Sequence, residues 1–176
     1  MQEEQYIQIN KYGHKFCYKD KAMTVLHRTD GPAIEWPNGD KEWFVDGKLH
    51  RIDGPAIECA DGCKEWFVDG KLHRIDGPAV EYADGYKAWY VDDKRHRTDG
   101  PAIEWVDGGK EWFVDGKRHR SDGPAVEYAD GYKEWYVDGK ILTEEKFKAL
   151  TKQIELTLED IAAKFGVDVN NLKIVK

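Results

Sequence analysis

Serine is nearly missing from this chain. Ser121 is its single copy and stands in no Gly-x-Ser-x-Gly elbow, so a serine nucleophile has no material to work with. Cysteine is scarce as well: Cys17, Cys59 and Cys63 make an odd number, which suits a reducing compartment better than a secreted disulfide framework. No window approaches the ~20 apolar residues of a membrane span, and Met1-Gln2-Glu3-Glu4 begins neither a basic nor an apolar region. We therefore expect no signal peptide, no membrane partner and a cytoplasmic location. Clustered basic residues are lacking too. The 27 Lys and Arg are outnumbered by 34 Asp and Glu, and a net charge of -7 argues against duplex nucleic acid, whose binding draws on counterion release by basic patches.

What the chain has in quantity is turns, aromatics and repetition. His27, His50, His73, His96 and His119 each begin a near-copy of one unit, so a 23-residue register holds from 27 to 141. A fixed period of this size marks a stacked array whose units bury their faces only against neighbours. Burial falls to the aromatics, with Trp43, Trp66, Trp89, Trp112 and Trp135 at one position of the unit and Trp36 and Trp105 at another.

Asp-Gly occurs three times per unit, as at Asp53-Gly54, Asp61-Gly62 and Asp69-Gly70, with β-favouring runs between. Such spacing is a hairpin signal, because Asp and Gly tolerate the positive φ of tight turns. Ala56-Ile57-Glu58-Cys59 predicts one strand and Lys64-Glu65-Trp66-Phe67-Val68 its antiparallel partner, while Lys71-Leu72-His73-Arg74 is a short third strand or a loop. Alternation places Ile34 with Trp36, and Trp43 with Val45, on faces expected to pack. Asp93, where other copies have Gly, carries a backbone cost.

The copies vary in concert. Ile34, Ile57 and Ile103 accompany Phe44, Phe67 and Phe113, whereas Val80 and Val126 accompany Tyr90 and Tyr136. Around the middle turn the couples are Trp36 with Asp40, Cys59 with Cys63, Tyr82 with Tyr86, Trp105 with Gly109 and Tyr128 with Tyr132. Cross-strand packing selects such couples, and duplication of a two-unit block explains them equally well.

The ends are irregular. Residues 1–26 read as a cap: Lys15-Phe16-Cys17-Tyr18-Lys19-Asp20 lies on Lys41-Glu42-Trp43-Phe44-Val45-Asp46 as a degenerate half-repeat, and Gln5-Tyr6-Ile7-Gln8-Ile9 adds an edge strand. Residues 142–176 read as a second cap. Thr143 starts a helix whose Phe147 and Leu150 cover the last repeat, followed by a short strand over 153–156, a helix from Thr157 to Phe165 closed by Gly166, and the apolar end Leu172-Lys173-Ile174-Val175, a small β-α-β tail.

The order Tyr128-Ala129-Asp130-Gly131, Trp135, Val137-Asp138-Gly139-Lys140, with Gly70-Lys71-Leu72-His73 in an earlier copy, resembles the MORN repeat over residues 27–141. Where MORN units carry His-Gly-x-Gly, this chain has His-Arg-x-Asp-Gly-Pro-Ala, a variant similar to repeat proteins of phages and giant viruses. The resemblance implies an elongated, twisted, single-layer antiparallel sheet of hairpins, a scaffold or protein-binding role, and interference with a host factor. The segment from Leu156 to Val167 resembles the first half of a LysM module and of a helix-turn-helix, and a similar tail in phage proteins points to the same origin. No basic recognition helix follows it.

Consecutive His residues of the repeat would lie ~9.5 Å apart, two inter-strand spacings, which is too far for neighbours to share a zinc ion. We expect no metal and no cofactor. His50, Arg51, His73, Arg74, His96, Arg97, His119 and Arg120 either tie the Asp-Gly turns closed or form a ladder of cations for a partner. The second candidate surface is the series Phe44, Phe67, Tyr90, Phe113 and Tyr136, expected with Glu35, Glu58, Glu81, Glu104 and Glu127 on the face opposite Trp43. Repeated exposed aromatics bind protein, unless both faces are covered. Cys59 and Cys63 suit a cross-link or plain packing better than a thiol active site. The expectation is an all-β repeat array with a small α/β C-terminal cap, a non-enzymatic viral protein that binds a host protein by avidity. A nucleotide-like ligand sink and a self-assembling homo-oligomeric scaffold are the alternatives.

Overall fold

The computed structural model describes residues 5–154, 158–168 and 170. Thirteen strands form one antiparallel sheet whose neighbours follow chain order, beginning with Tyr6–Ile9 and Lys15–Tyr18 and ending with Lys133–Val137 and Lys140–Leu142. Between these, each unit contributes strands of two residues, such as Ile57–Glu58 and Lys64–Glu65. Four separate two-stranded hairpins accompany the sheet, Phe67–Val68 with Lys71–Leu72 among them. Helices α1 (Glu144–Ile154) and α2 (Leu158–Phe165) follow the array. The chain is thus an all-β array of hairpin repeats with a small helical C-terminal end.

The strand expected over 64–68 is interrupted at Trp66, and the cause is a division of backbone bonds. Trp66 N donates to Ala79 O of the next unit at 2.8 Å, while Trp66 O accepts from His73 N of its own hairpin at 3.0 Å. One residue serves two ladders, so the chain leaves the long sheet there and enters the side hairpin. No sixth unit follows the last copy, and Lys133–Val137 runs unbroken. The side hairpins are bonded in series, Gly70 N to Leu49 O at 2.8 Å and Gly116 N to Arg95 O at 2.9 Å. Their turns hold Asp46, Asp69, Asp92, Asp115 and Asp138 at φ 49–50°. A glycine at positive φ follows each of these except Asp92, in the two-residue turn that suits strand twist. Asp93 takes that place at φ 64°, and its carboxylate accepts the Leu72 N–H at 2.8 Å, a bond glycine could not make.

Strands of two residues need something besides length to hold register. On one face Lys15, Glu35, Lys41, Glu58, Lys64, Glu81, Lys87, Glu104, Lys110, Glu127 and Lys133 are successive cross-strand partners, alternating in sign without a fault. Opposite charges facing each other favour this pairing, and a one-residue slip would send each set to the wrong face. The other row is Phe16, Ile34, Glu42, Ile57, Glu65, Val80, Ala88, Ile103, Glu111, Val126 and Glu134. Its carboxylates stand among apolar side chains and need donors. Trp36 Nε1 supplies Glu42 at 3.2 Å, Trp105 Nε1 supplies Glu111 at 3.1 Å, and the Tyr136 hydroxyl supplies Glu134 at 3.0 Å. In the second unit Cys59 stands where those tryptophans stand and is joined to Cys63 by a disulfide, so Glu65 has no such donor. Burial pushes the Glu65 carboxyl up from its ordinary value.

The core lies where the side hairpins meet the sheet. Ala33, Ala56, Ala79, Ala102 and Ala125 are completely buried. Val80, Ala88, Ala102, Ile103 and Phe113 form a buried cluster packed by Leu72, Tyr86, Trp89 and Tyr90. At the C-terminal end the Thr143 hydroxyl caps α1 by accepting the Lys146 N–H at 3.3 Å, and Phe147 is buried while Leu150 is exposed. Of the strand expected over 153–156, Gln153 and Ile154 belong instead to α1. Residues 155–157 and the apolar end 171–176 lie outside the described residues. Gly166, at φ 65°, follows α2.

Since the folded pKa of Glu65 is raised, the favourable contribution is that of its protonated form. It is complete below the usual Glu value and lost as pH rises through the folded one. Glu65→Gln should therefore raise the melting temperature at pH 7, by about 2–4 °C for a gain near 1 kcal/mol. The gain should shrink to nothing toward pH 3, as differential scanning calorimetry across pH would show.

Candidate functional site

From the second repeat onward, one arginine per repeat contacts two units at once. The Arg51 guanidinium stacks on Trp43 of the preceding unit with Cζ 4.1 Å from the ring centroid, and Arg74, Arg97 and Arg120 sit at 3.9–4.0 Å on Trp66, Trp89 and Trp112. Arg51 Nε donates to Asp53 at 3.0 Å, while Nη1 donates to Pro55 O at 3.1 Å and to Glu58 at 2.8 Å. The same bonds recur from Arg28, Arg74, Arg97 and Arg120. A planar fork with a π face can satisfy all of these directions together, and lysine cannot. The Gly of each Asp-Gly-Pro leaves room for it: a Cβ on Gly54 or Gly77 would lie 2.8 Å from the arginine Cζ. The guanidinium holds Asp53, Asp76, Asp99 and Asp122 below the usual carboxylate range, and Asp30 likewise with help from Gln5.

The histidines clamp the next level of structure. His50 Nδ1 lies 3.0 Å from Asp69 Oδ1 and 3.2 Å from Asp69 N, at the turn of the following side hairpin. His73, His96 and His119 hold Asp92, Asp115 and Asp138 in the same way. Of the two roles open to these His-Arg pairs, tying the Asp-Gly turns closed is the one they perform within the fold.

Between consecutive Arg-x-Asp-Gly loops the surface opens into a cleft. One, of about 640 Å³, is lined by Arg28, Asp30, Trp43, Val45, Arg51 and Ile52. Equivalent clefts of about 730 and 550 Å³ are lined by Trp89 with Val91 and by Trp112 with Val114. Trp43 and Val45 thus line an open cleft, whereas their face was expected to be the packed one. The variable residue of Arg-x-Asp stands at the rim, where Ile52 and Ile75 are 78% and 86% exposed. Asp53 and Asp76 are exposed beside them, while Arg51 and Arg74 are largely covered. The exposed charge of the rim is therefore negative.

The aromatic series expected on the outside is not exposed. Phe113 is 6% exposed, and Phe44, Phe67, Tyr90 and Tyr136 are half-buried. Phe67 pairs across its hairpin with Leu72, on the opposite side from Trp66 and Val68. The Glu series does not share that side: Arg51 touches both Trp43 and Glu58, which puts the carboxylates with the tryptophans. Sequence reasoning missed Ile52 and Ile75, although an isoleucine between Arg and Asp, where other copies carry Thr or Ser, is a visible signal for a surface position. Rings gather at the middle turns, where exposed Tyr82 lies 5.3 Å from half-buried Tyr86 and exposed Tyr128 and Tyr132 are 5.6 Å apart. Cys59, Asp61 and Cys63 offer ligand atoms within 4.8 Å of one another, but both thiols are used in the disulfide. Among the described residues no helix is long and apolar enough to cross a membrane. No protein-family model matches the chain, and no curated protein matches it significantly.

Two predictions follow from the arginine geometry. Arg74→Lys keeps the charge and loses the fork and the stack, which should cost ~2 kcal/mol and lower the melting temperature by about 4–8 °C. Gly77→Ala, by expelling the same guanidinium, should cost a similar amount, and the double variant should fall well short of the sum in a double-mutant cycle. The second concerns acid. Aspartates with depressed folded pKa contribute stability above the unfolded value near 3.9 and lose it as pH falls through the folded one. Thermal melts between pH 5 and pH 2 should drop less steeply for Asp53→Asn/Asp76→Asn than for the parent.

Proposed function

We propose that this chain is a non-enzymatic interaction protein of a phage-type virus, which binds a host protein along its row of clefts and blocks a host defence factor. The observation that carries the reading is the recurrence along the array of one open cleft with the same Trp, Val, Arg and Asp in its lining. A partner that fills several clefts gains avidity without any single strong contact. The viral setting and the target in host defence rest on the resemblance of His-Arg-x-Asp-Gly-Pro-Ala to viral repeats. A sink for nucleotide-like anions is the weaker alternative, because the guanidinium donors that would hold phosphate are already bonded to the protein's own carboxylates. Self-assembly has one observation in its favour: Tyr6–Ile9 is the terminal strand of the sheet, with Ile7 and Ile9 more than half exposed.

Affinity capture from lysates of candidate bacterial hosts, read by mass spectrometry, tests the reading. The expected result is a single host protein recovered with the parent chain and lost with Ile52→Lys/Ile75→Lys. Both residues are exposed, so the variant should melt at the parent temperature. Recovery of nothing but the chain itself overturns the proposal, and a concentration-dependent mass in sedimentation would then favour self-assembly.

A further inference from the structure

The step of the array restricts what can lie along it. Each unit adds two strands to the long sheet, so equivalent clefts recur every ~9.6 Å, twice the spacing of hydrogen-bonded strands. A bound segment that crosses the strands must present equivalent side chains at that interval. An extended β-strand repeats a face every ~6.8 Å, so it loses register by ~2.8 Å at each cleft. An α-helix returns to a face after seven residues and ~10.5 Å, an error of ~0.9 Å per cleft. A polyproline II helix has three residues per turn at ~3.1 Å each, a period of ~9.3 Å. Its error is ~0.3 Å per cleft, small enough to span several clefts without adjustment. The cleft chemistry agrees with the geometry. Its lining of Trp and Val beside an exposed Ile is the kind of aromatic and apolar groove into which proline rings dock. Its carboxylates, from Asp30, Asp53, Asp76, Asp99 and Asp122, are each ion-paired with the arginine two residues before, yet stay well exposed, and a carboxylate has room for a second cation from the partner.

Resting on the interaction reading above, we infer that the row of inter-repeat clefts binds a proline-rich, basic segment in the polyproline II conformation, one turn of the segment to each repeat. Proline at two positions of each triplet fills the clefts, and Lys or Arg at the third faces the Asp rims. The segment is stiff before it binds, so little chain entropy opposes docking.

The test uses synthetic (Pro-Pro-Lys)n peptides with n from two to six, titrated into the full chain and followed by tryptophan fluorescence and calorimetry. The expected result is a dissociation constant that falls by about tenfold or more between n = 2 and n = 4, as further clefts are engaged. Binding should weaken by at least about tenfold in Ile52→Lys/Ile75→Lys, and (Pro-Pro-Glu)n should not bind. A (Gly-Gly-Lys)n series has the same charge spacing without the stiff helix. If it binds as tightly as (Pro-Pro-Lys)n, only charge is being read and the inference is overturned. Absence of binding by every (Pro-Pro-Lys)n peptide overturns it as well. If the lysate experiment still captures a host protein that Ile52→Lys/Ile75→Lys loses, the interaction reading survives the failure of this one.

Discussion

A guanidinium stacked on a tryptophan from the unit before it, and bonded to three oxygens of its own unit, is the contact on which the array depends. Units of 23 residues with two-residue strands have little cooperative hydrogen bonding of their own. In a repeat protein, stability is a sum of weak units and the interfaces between them, so the interface term decides whether the array exists. The arginine supplies that term at the interface itself. It neutralises a glutamate and an aspartate that would otherwise repel one another, and it caps the Pro carbonyl of a loop that proline prevents from pairing at its own nitrogen. The requirement for glycine in Asp-Gly-Pro follows from this contact. In this loop, unlike the two other Asp-Gly turns, the glycine serves close approach to the arginine, and its φ is not positive.

Electrostatics then fixes what sterics leave loose. Eleven alternating charges along one row of the sheet give each strand a preferred partner on both sides, while the apolar row behind them gives it a preferred face. The cost appears in the second row, where a glutamate recurs among Ile and Val. Tryptophan at 36 and 105 makes sense in this light. Its indole N–H reaches the carboxylate of Glu42 or Glu111, and its ring covers apolar surface beside it. Where the third unit has Tyr82 and Tyr86 in place of that couple, the glutamate is replaced by Ala88, and the buried cluster is centred there. The couple at the middle turn thus follows the carboxylate in the first, third and fourth units, whereas in the fifth Tyr128 and Tyr132 stand with Glu134, which takes its donor from Tyr136.

Much of this was legible in the sequence, and the limits of its legibility are physical. The Asp-Gly turns and the two strands around Asp61-Gly62 follow from local chemistry, since positive φ and short β-favouring runs leave few options. The break at Trp66 does not, because it comes from dividing one residue's N–H and C=O between two neighbours, which no pattern within a single unit encodes. From that break follows the inversion of faces. In the side hairpin Phe67 pairs with Leu72, and in the equivalent hairpins Phe113 is buried and Tyr90 packs against the core while Trp89 and Val91, Trp112 and Val114 line clefts. The His-Arg pairs were recognisable as turn-binders from their spacing to Asp. Their satisfaction within the fold is what removes them from the list of groups left over for a partner.

What remains for a partner is therefore set by subtraction. The histidine Nδ1 atoms, the guanidinium forks and the repeat glutamates are spent on holding units together, and the alternating phenyl and phenol rings are spent on the core. What still faces solvent is the outer side of each rim Asp, whose other side is held by its arginine, the variable side chain between Arg and Asp, and the parts of Trp and Val that line the clefts. The rim carboxylates are held below their ordinary range by the arginines beside them. They have a constant step. A lattice of weak, equivalent, acidic clefts discriminates by period before it discriminates by side chain, because a ligand out of step gains one cleft and a ligand in step gains all of them. Drift at the variable position, from Thr29 to Ile52, Ile75, Thr98 and Ser121, then tunes each cleft separately without touching the contacts that stack the units.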